Sequence, residues 1–156
     1  MVISVRYPIQ QVTKTGAVNQ GCIENVEQDL FFFDGKAVRR LSYEEGTFAL
    51  NDTAISNKIA PTLENIPDDQ SKAMSYFVYP YYKLFYRSEG SGTNDTCLRY
   101  NVINKSWSTQ VGIVTEVGVS GYLEKESMNT AFFGSPFDGT VYKDNSSYYY
   151  EDGDIT

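Results

Sequence analysis

Three glutamates, Glu24, Glu27 and Glu116, are the side chains of this sequence best suited to acid–base chemistry. Two carboxyl groups flanking a glycosidic bond can hydrolyse it without a histidine, and a retaining mechanism needs them about 5.5 Å apart, on facing strands beside aromatic rings. The chain holds 20 acidic and 13 basic residues, so exposed acids are the ordinary explanation for these glutamates. We therefore predict no catalytic residue and a protein that is not an enzyme.

The sequence contains no histidine. This removes the commonest general base, the usual metal ligand and every Ser-His or Cys-His nucleophile pair. The two cysteines, Cys22 and Cys97, lack the CxxC spacing of a zinc site. In a chain without a secretory signal, two buried free thiols are favoured over a disulfide. We expect no metal and no cofactor.

Four residues near the end of the chain offer oxygen atoms that a calcium ion could use. They are Asp144, Asn145, Asp152 and Asp154. They lack the D-x-D-x-D-G spacing that fixes ligands around one ion. A solvated acidic turn is the favoured interpretation.

Asp138 and Gly139 follow Ser135 and precede Tyr142 in an arrangement that resembles the S-x-D-x-G-x-x-W box of sialidase blades. The spacing differs by one residue, and Tyr142 replaces the tryptophan. Since that box is a turn-stabilising device, we predict a hairpin turn here.

Tyrosines are concentrated in one segment, where they could form a platform for stacking sugars: Tyr76, Tyr79, Tyr81, Tyr82 and Tyr86. Alternation along a strand sends about half of such residues to each face. Burial in the core is therefore the favoured interpretation, and Pro80 indicates a bulge or an edge at this point.

Composition points to an all-β protein. The 156 residues suffice for one domain, and 13 Tyr and 9 Phe against 3 Met favour strands over helices. The net charge of −7 disfavours binding to a phosphate backbone or an anionic membrane surface. We see no apolar run of signal-peptide or membrane-spanning length. We expect neither nucleic acid nor membrane as a partner.

Turn signals divide the chain into antiparallel meanders. Asp34-Gly35 predicts a type I′ turn between the strands 30–33 and 36–39. The segment 76–108 predicts three strands and two turns, and its Trp107, the only tryptophan, is expected to anchor the unit. Between them, the apolar spacing over 54–66, interrupted by Pro61, predicts a short helical connector.

An imperfect repeat accompanies these meanders. Leu30 aligns with Leu84 and Phe132, at offsets of 54 and 48 residues. We predict a single domain over 1–156 with three units at about 21–43, 74–108 and 128–156.

The second unit resembles blades of kelch-like β-propellers, and more closely blades in structural proteins of bacteriophage tails and necks. The resemblance rests on the patterns N-D-T-x-L-x-Y and K-x-W-S, which here are Asn94, Asp95, Thr96, Leu98, Tyr100, Lys105, Trp107 and Ser108. It covers about residues 21–142 and carries no catalytic residues. It implies a structural module of a phage or prophage virion, assembled in the host cytoplasm.

Three such units cannot close a propeller, which needs about four to eight blades. We expect the chain to collapse into a compact sandwich-like arrangement, to be part of a longer polypeptide, or to contact other protein subunits or copies of itself. The aromatic run Tyr148–Tyr150 is the edge predicted to associate. The alternative function is that of a propeller fragment that binds or cleaves a carbohydrate, with a glycan as its ligand.

Overall fold

The computed structural model describes residues 11–44, 49–124 and 128–144, which contain three antiparallel sheets. Sheet 1 consists of β1 (Ile23–Val26), β2 (Asp29–Phe33), β3 (Val38–Glu44) and β4 (Ala49–Ala54). Sheet 2 consists of β5 (Met74–Val78), β6 (Tyr81–Tyr86), β7 (Thr96–Asn101) and β8 (Ser106–Val111). Sheet 3 consists of β9 (Val117–Leu123), β10 (Met128–Gly134) and β11 (Val141–Asp144).

In each sheet the strands lie side by side in the order of the sequence. Each sheet is therefore a meander, and the predicted all-β class with three meander units is confirmed. The predicted edge Tyr148–Tyr150 and the ligand candidates Asn145, Asp152 and Asp154 lie outside the described residues.

Sheets 1 and 3 extend beyond the predicted units. Sheet 1 includes β4, which lies between the predicted first unit and the predicted connector, whereas sheet 2 begins at Met74 as predicted but has four strands instead of three. Sheet 3 begins at Val117, eleven residues before the predicted start of the third unit at Met128. The fourth strand of sheet 1 was missed because its sequence, ALNDTA, has little of the β-branched and aromatic content typical of strands.

The turn between β2 and β3 differs from the predicted type. Phe33 pairs with Val38, so four residues form the loop, and the Asp34 amide donates to the Ala37 carbonyl oxygen at 3.0 Å. Gly35 has a positive φ of 96°, but Asp34 does not. The hairpin is confirmed and the type I′ turn is wrong, because Asp34 uses its carboxylate to accept from the amides of Lys36 and Ala37.

The connector after β4 is a 3₁₀ turn (Asn57–Ile59) followed by α1 (Ala60–Glu64), as predicted for 54–66. Pro61 lies in the first turn of α1, where its missing amide hydrogen is not needed. Leu63 and Ile66 are buried in the hydrophobic core that lies between sheets 1 and 2, so the predicted apolar spacing does mark a packed face.

Two cores separate the three sheets. The first core lies between sheets 1 and 2 and includes Phe31, Phe33, Val38, Tyr82, Leu84, Leu98 and Tyr100. The second lies between sheets 2 and 3 and includes Met74, Tyr76, Val78, Phe85, Cys97 and Ala131. We call the side of sheets 1 and 2 that faces the following sheet the forward face, and their opposite side the rear face. For sheet 3, the rear face is the side that packs on sheet 2, and the forward face is the opposite side.

Sheet 2 is therefore covered on both of its faces. The rear face carries Leu84 and Tyr82, and the forward face carries Tyr76 and Phe85, as alternation along the strands requires. Gly118 of sheet 3 permits close approach, since a Cβ atom there would lie 2.6 Å from Cε of Met74.

The repeat alignment is wrong by one residue in the third unit. Leu30 and Leu84 both lie on rear faces, in the second strand of their sheets. Phe132 also lies in a second strand, but it pairs with Val119 and shares the forward face, whereas its neighbours Ala131 and Phe133 share the rear face. Because side chains alternate, a slip of one residue reverses the face of every position.

Trp107 is partly buried and fastens the connector to sheet 2. Its ring centroid lies 4.9 Å from that of Tyr100, and its indole nitrogen donates to the carbonyl oxygen of Ile55 at 3.2 Å. The two cysteines, Cys22 and Cys97, are buried free thiols, as predicted.

Candidate interaction surface

The three candidate glutamates lie in different environments in the structure. Glu24 on β1 accepts a hydrogen bond from the Ser120 hydroxyl, and burial raises the pKa of its carboxyl group. Glu116 pairs with Lys72, with 2.8 Å between Oε1 and Nζ. Glu27 follows β1 with a positive φ of 58° in an exposed turn. Glu24 and Glu116 therefore have local partners, and Glu27 occupies an exposed turn.

Four of the five tyrosines proposed as a platform are core residues. Tyr76, Tyr81, Tyr82 and Tyr86 are buried, which agrees with the favoured interpretation. Tyr79 is 55% exposed and lies with Pro80 in the two-residue turn between β5 and β6, so Pro80 marks a turn and not a bulge or an edge.

A buried ion pair joins sheets 2 and 3. Lys83 Nζ on β6 lies 2.7 Å from Asp144 Oδ2 on β11, and the two side chains are 3% and 10% exposed. The Tyr76 hydroxyl donates to the same carboxylate oxygen at 2.9 Å. Burial, together with the negative charge of Asp144, raises the pKa of Tyr76 far above its ordinary range. Asp144 therefore contributes to the packing of sheet 3 against sheet 2.

Sequence reasoning missed this cluster, although one signal was present. Lys83 interrupts the apolar strand YYKLFY, and a charged residue within such a strand is seldom buried unless it is paired. Its partner lies 61 residues away in the sequence, so the pairing could not be read from spacing. Within the described ranges, no group of three or more Asp, Glu and Cys side chains could hold a metal ion.

A second tie between these sheets runs through Asn94 and Thr115. The Asn94 amide group donates to the carbonyl oxygens of Lys72 at 2.6 Å and of Thr115 at 2.9 Å. The Thr115 hydroxyl lies 2.9 Å from the carbonyl oxygens of both Val117 and Gly134. Asn94 and Thr115 are both buried, and they satisfy buried or partly buried backbone carbonyl groups.

The hairpin between β10 and β11 contains the predicted turn at Asp138 and Gly139. Gly139 has a φ of 72°, and the Asp138 carboxylate accepts from the Thr140 amide at 3.0 Å. Phe137 projects from this turn and is 73% exposed.

Sheet 3 presents its forward face to solvent. Val117, Val119 and Val141 on this face are 65%, 64% and 68% exposed, and no other element of the described residues covers them. A depression of about 160 Å³ lies beside them, where Thr130 is only 3% exposed; its lining is Val119, Ser120, Gly121, Tyr122, Leu123, Thr130 and Phe132. Isolated exposed apolar residues are common, but several that adjoin on one sheet face indicate an interaction site.

The opposite end of the molecule has a similar, less exposed surface. On the rear face of sheet 1, Ile23 and Leu50 are 44% and 46% exposed, and Leu30 and Leu41 are half-buried. This face of sheet 1 is only partly exposed, because Phe32 on it is buried and Arg39 pairs there with Asp52.

No helix in the described ranges is long and apolar enough to cross a membrane. The sequence matches no protein-family model and no curated protein. A functional proposal therefore depends on the geometry described above.

Proposed function

We propose that this chain is a non-enzymatic structural module that acts through protein–protein contacts, as a component of the tail or neck of a phage or prophage virion. The exposed forward face of sheet 3 is the observation that carries the proposal. Its valines and the depression beside them form an apolar surface on the end sheet of a molecule whose other sheet junctions are packed and buried.

The internal packing supports a structural role. Sheet 2 is fixed to sheet 1 by an aromatic core, in which Phe31 contacts Tyr82 edge-on at 5.3 Å between ring centroids. Sheet 2 is fixed to sheet 3 by the Lys83–Asp144 pair and by Asn94. The polar groups at the junction of sheets 2 and 3 thus hold backbone segments and charges in place.

The residues that carry the phage resemblance also have packing roles. Asn94 ties two backbone segments, the tilted rings of Tyr100 and Trp107 are in contact, and Asp95 accepts two hydrogen bonds from Ser88. These packing roles are compatible with the blade-like unit that the resemblance implies.

The direct test is the composition of particles. Virions or induced prophage particles, purified by density gradient from a strain that encodes this sequence, should contain peptides of this chain at a fixed ratio to the tail proteins. Particles that lack these peptides would refute the virion role.

The enzymatic alternative is tested separately with the purified chain. Sugar release from a panel of glycans is measured for the wild type and for Glu24→Gln and Glu116→Gln. We expect no release with any of them. Hydrolysis by the wild type that either substitution abolishes would instead establish a glycosidase and refute the non-enzymatic proposal.

A further inference from the structure

Lys83 and Asp144 form an ion pair that is almost fully buried, with exposed side-chain fractions of 3% and 10%. By contrast, Lys72 in its pair with Glu116 is 58% exposed. The Lys83 ammonium lies 5.9 Å from the centre of the Tyr76 ring, in the core between sheets 2 and 3. Only a small part of either charged group therefore meets water.

A buried pair of this kind holds both reactants of an amide bond. Loss of water penalises charged groups more than neutral ones, so transfer of one proton from the amine to the carboxylate gives a neutral amine beside a neutral carboxylic acid. A lysine amine in apolar surroundings is a nucleophile, and the carboxyl carbon is the atom that it attacks. The chemistry of Lys83 and Asp144 therefore extends beyond the attraction of two charges.

The two reacting groups are close together and are held by regular backbone. Lys83 Nζ lies 2.7 Å from Asp144 Oδ2. Because Oδ2 is bonded directly to Cγ, the nitrogen is within about 4 Å of the carbon that it would attack. Lys83 pairs with Tyr76 and Arg99 in the middle of sheet 2, and Asp144 pairs with the buried Ala131 in sheet 3. Reactants fixed in this way behave as if present at about 10⁵–10⁸ M.

Tyr76 supplies a third group at the same place. Its hydroxyl donates to Oδ2 of Asp144 at 2.9 Å, and this is the oxygen that Lys83 also contacts. Oδ2 is the atom that must leave as water, and a fixed donor aimed at it stabilises the negative charge that develops there. Burial and the charge of Asp144 raise the pKa of Tyr76, so its hydroxyl keeps the proton and remains a donor.

We propose that Lys83 and Asp144 form an intramolecular amide bond that joins β6 of sheet 2 covalently to β11 of sheet 3. The bond from Nζ to Cγ forms, the bond from Cγ to Oδ2 breaks, and Oδ2 leaves as water with two of the three ammonium hydrogens. The charges cancel, and no oxidant, reductant or co-reactant is consumed. Folding produces the ion pair and the bond replaces it afterwards, so stability measured on freshly folded protein refers to the pair.

Mass spectrometry of the full chain during incubation at neutral pH tests the bond. The folded wild type should become lighter by the mass of one water molecule, whereas the same chain kept unfolded in guanidinium chloride should not. Trypsin does not cut after an acylated lysine. Digestion of the incubated protein should therefore release residues 73–87, uncut at Lys83, joined to the peptide that contains Asp144.

Three variants separate the roles of the residues. Lys83→Arg keeps a positive charge but removes the amine, and it should retain its full mass. Tyr76→Phe should form the bond about 100-fold more slowly, because it removes the donor to Oδ2. Lys72→Arg is the matched control, since Lys72 lies 2.8 Å from Glu116 but is exposed; it should lose water like the wild type. Circular dichroism checks that each variant is folded.

A folded wild type that keeps its full mass throughout the incubation would overturn the bond. A loss of water that persists in Lys83→Arg would also overturn it, because the loss would then arise elsewhere in the chain. Tyr76→Phe reacting at the wild-type rate would refute the role of the Tyr76 hydroxyl. The bond goes beyond the proposed function and does not depend on it: an unchanged mass leaves the virion role intact, and particles that lack the chain leave the bond intact.

Discussion

The ammonium group of Lys83 and the carboxylate of Asp144 lie 2.7 Å apart at the junction of sheets 2 and 3, and both side chains are almost fully buried. Each charge compensates for the water that the other has lost. The pair therefore sets how firmly sheet 3 is attached to sheet 2.

Lys83→Met should lower the free energy of unfolding by about 3–5 kcal/mol, because it leaves Asp144 as an uncompensated buried charge. Urea denaturation followed by circular dichroism measures the change. The double variant Lys83→Met/Asp144→Leu should recover much of the loss. Lys72→Met, which breaks the more exposed pair with Glu116, should cost at most about 1 kcal/mol. Equal losses from Lys72→Met and Lys83→Met would contradict this account.

Asn94→Ala should destabilise the protein by about 1–3 kcal/mol, because the carbonyl oxygens of Lys72 and Thr115 lose their donor in a buried position. Asn94→Asp should be at least as damaging, since a carboxylate would face those two oxygens. The exposed Asn129 provides the control, and Asn129→Ala should change stability by less than about 0.5 kcal/mol.

Stability should fall at alkaline pH. Burial raises the pKa of the Cys22 and Cys97 thiols from 9.0 to about 12. The folded state therefore holds these protons more tightly than the unfolded chain, and the resulting stability is complete below pH 9 and is lost as the pH rises toward 12. The expected loss is roughly 1 kcal/mol per thiol for each pH unit.

Urea midpoints measured between pH 8 and pH 11 test this dependence. The variant Cys22→Ala/Cys97→Ala should show a shallower decline just above pH 9. Tyr76 and Tyr82, whose pKa values burial also raises, should maintain a decline above pH 10 in both proteins. An identical curve for the wild type and the double variant would exclude the thiols as its cause.

Trp107→Phe should cost about 1 kcal/mol, because the ring contact with Tyr100 is largely kept while the hydrogen bond to Ile55 is lost. Circular dichroism is the appropriate probe, since the substitution removes the only indole. Tyr79→Phe changes an exposed aromatic residue in a turn and should have no measurable effect. A neutral Trp107→Phe would show that the connector does not depend on this bond.

The sequence was sufficient for the class of the fold and for most strands. Strands such as β6 and β7 are rich in aromatic and β-branched residues, and the connector shows apolar residues at helical spacing, so local composition identified both. β4 was missed because it is polar, and the turn at Asp34 was mistaken because the side chain of Asp34 determines the loop.

The candidate surface was beyond what the sequence could provide. A single-residue error placed Phe132 in the register of Leu84, and whether a valine of β9 faces a core or solvent depends on that register. The Lys83–Asp144 pair and the Asn94 tie depend on contacts between distant segments, which neither composition nor periodicity encodes.

The position of sheet 2 in the middle has a consequence for dissecting the protein. Deletion of residues 11–54 would expose Tyr82 and Leu84 to solvent. Deletion of residues 117–144 would expose Phe85 and would remove the counter-ion of Lys83. Removal of either end sheet should therefore leave a fragment with an exposed apolar surface that is prone to aggregate. The three sheets should consequently melt together, and the slowest amide protons to exchange with solvent should be those of β6.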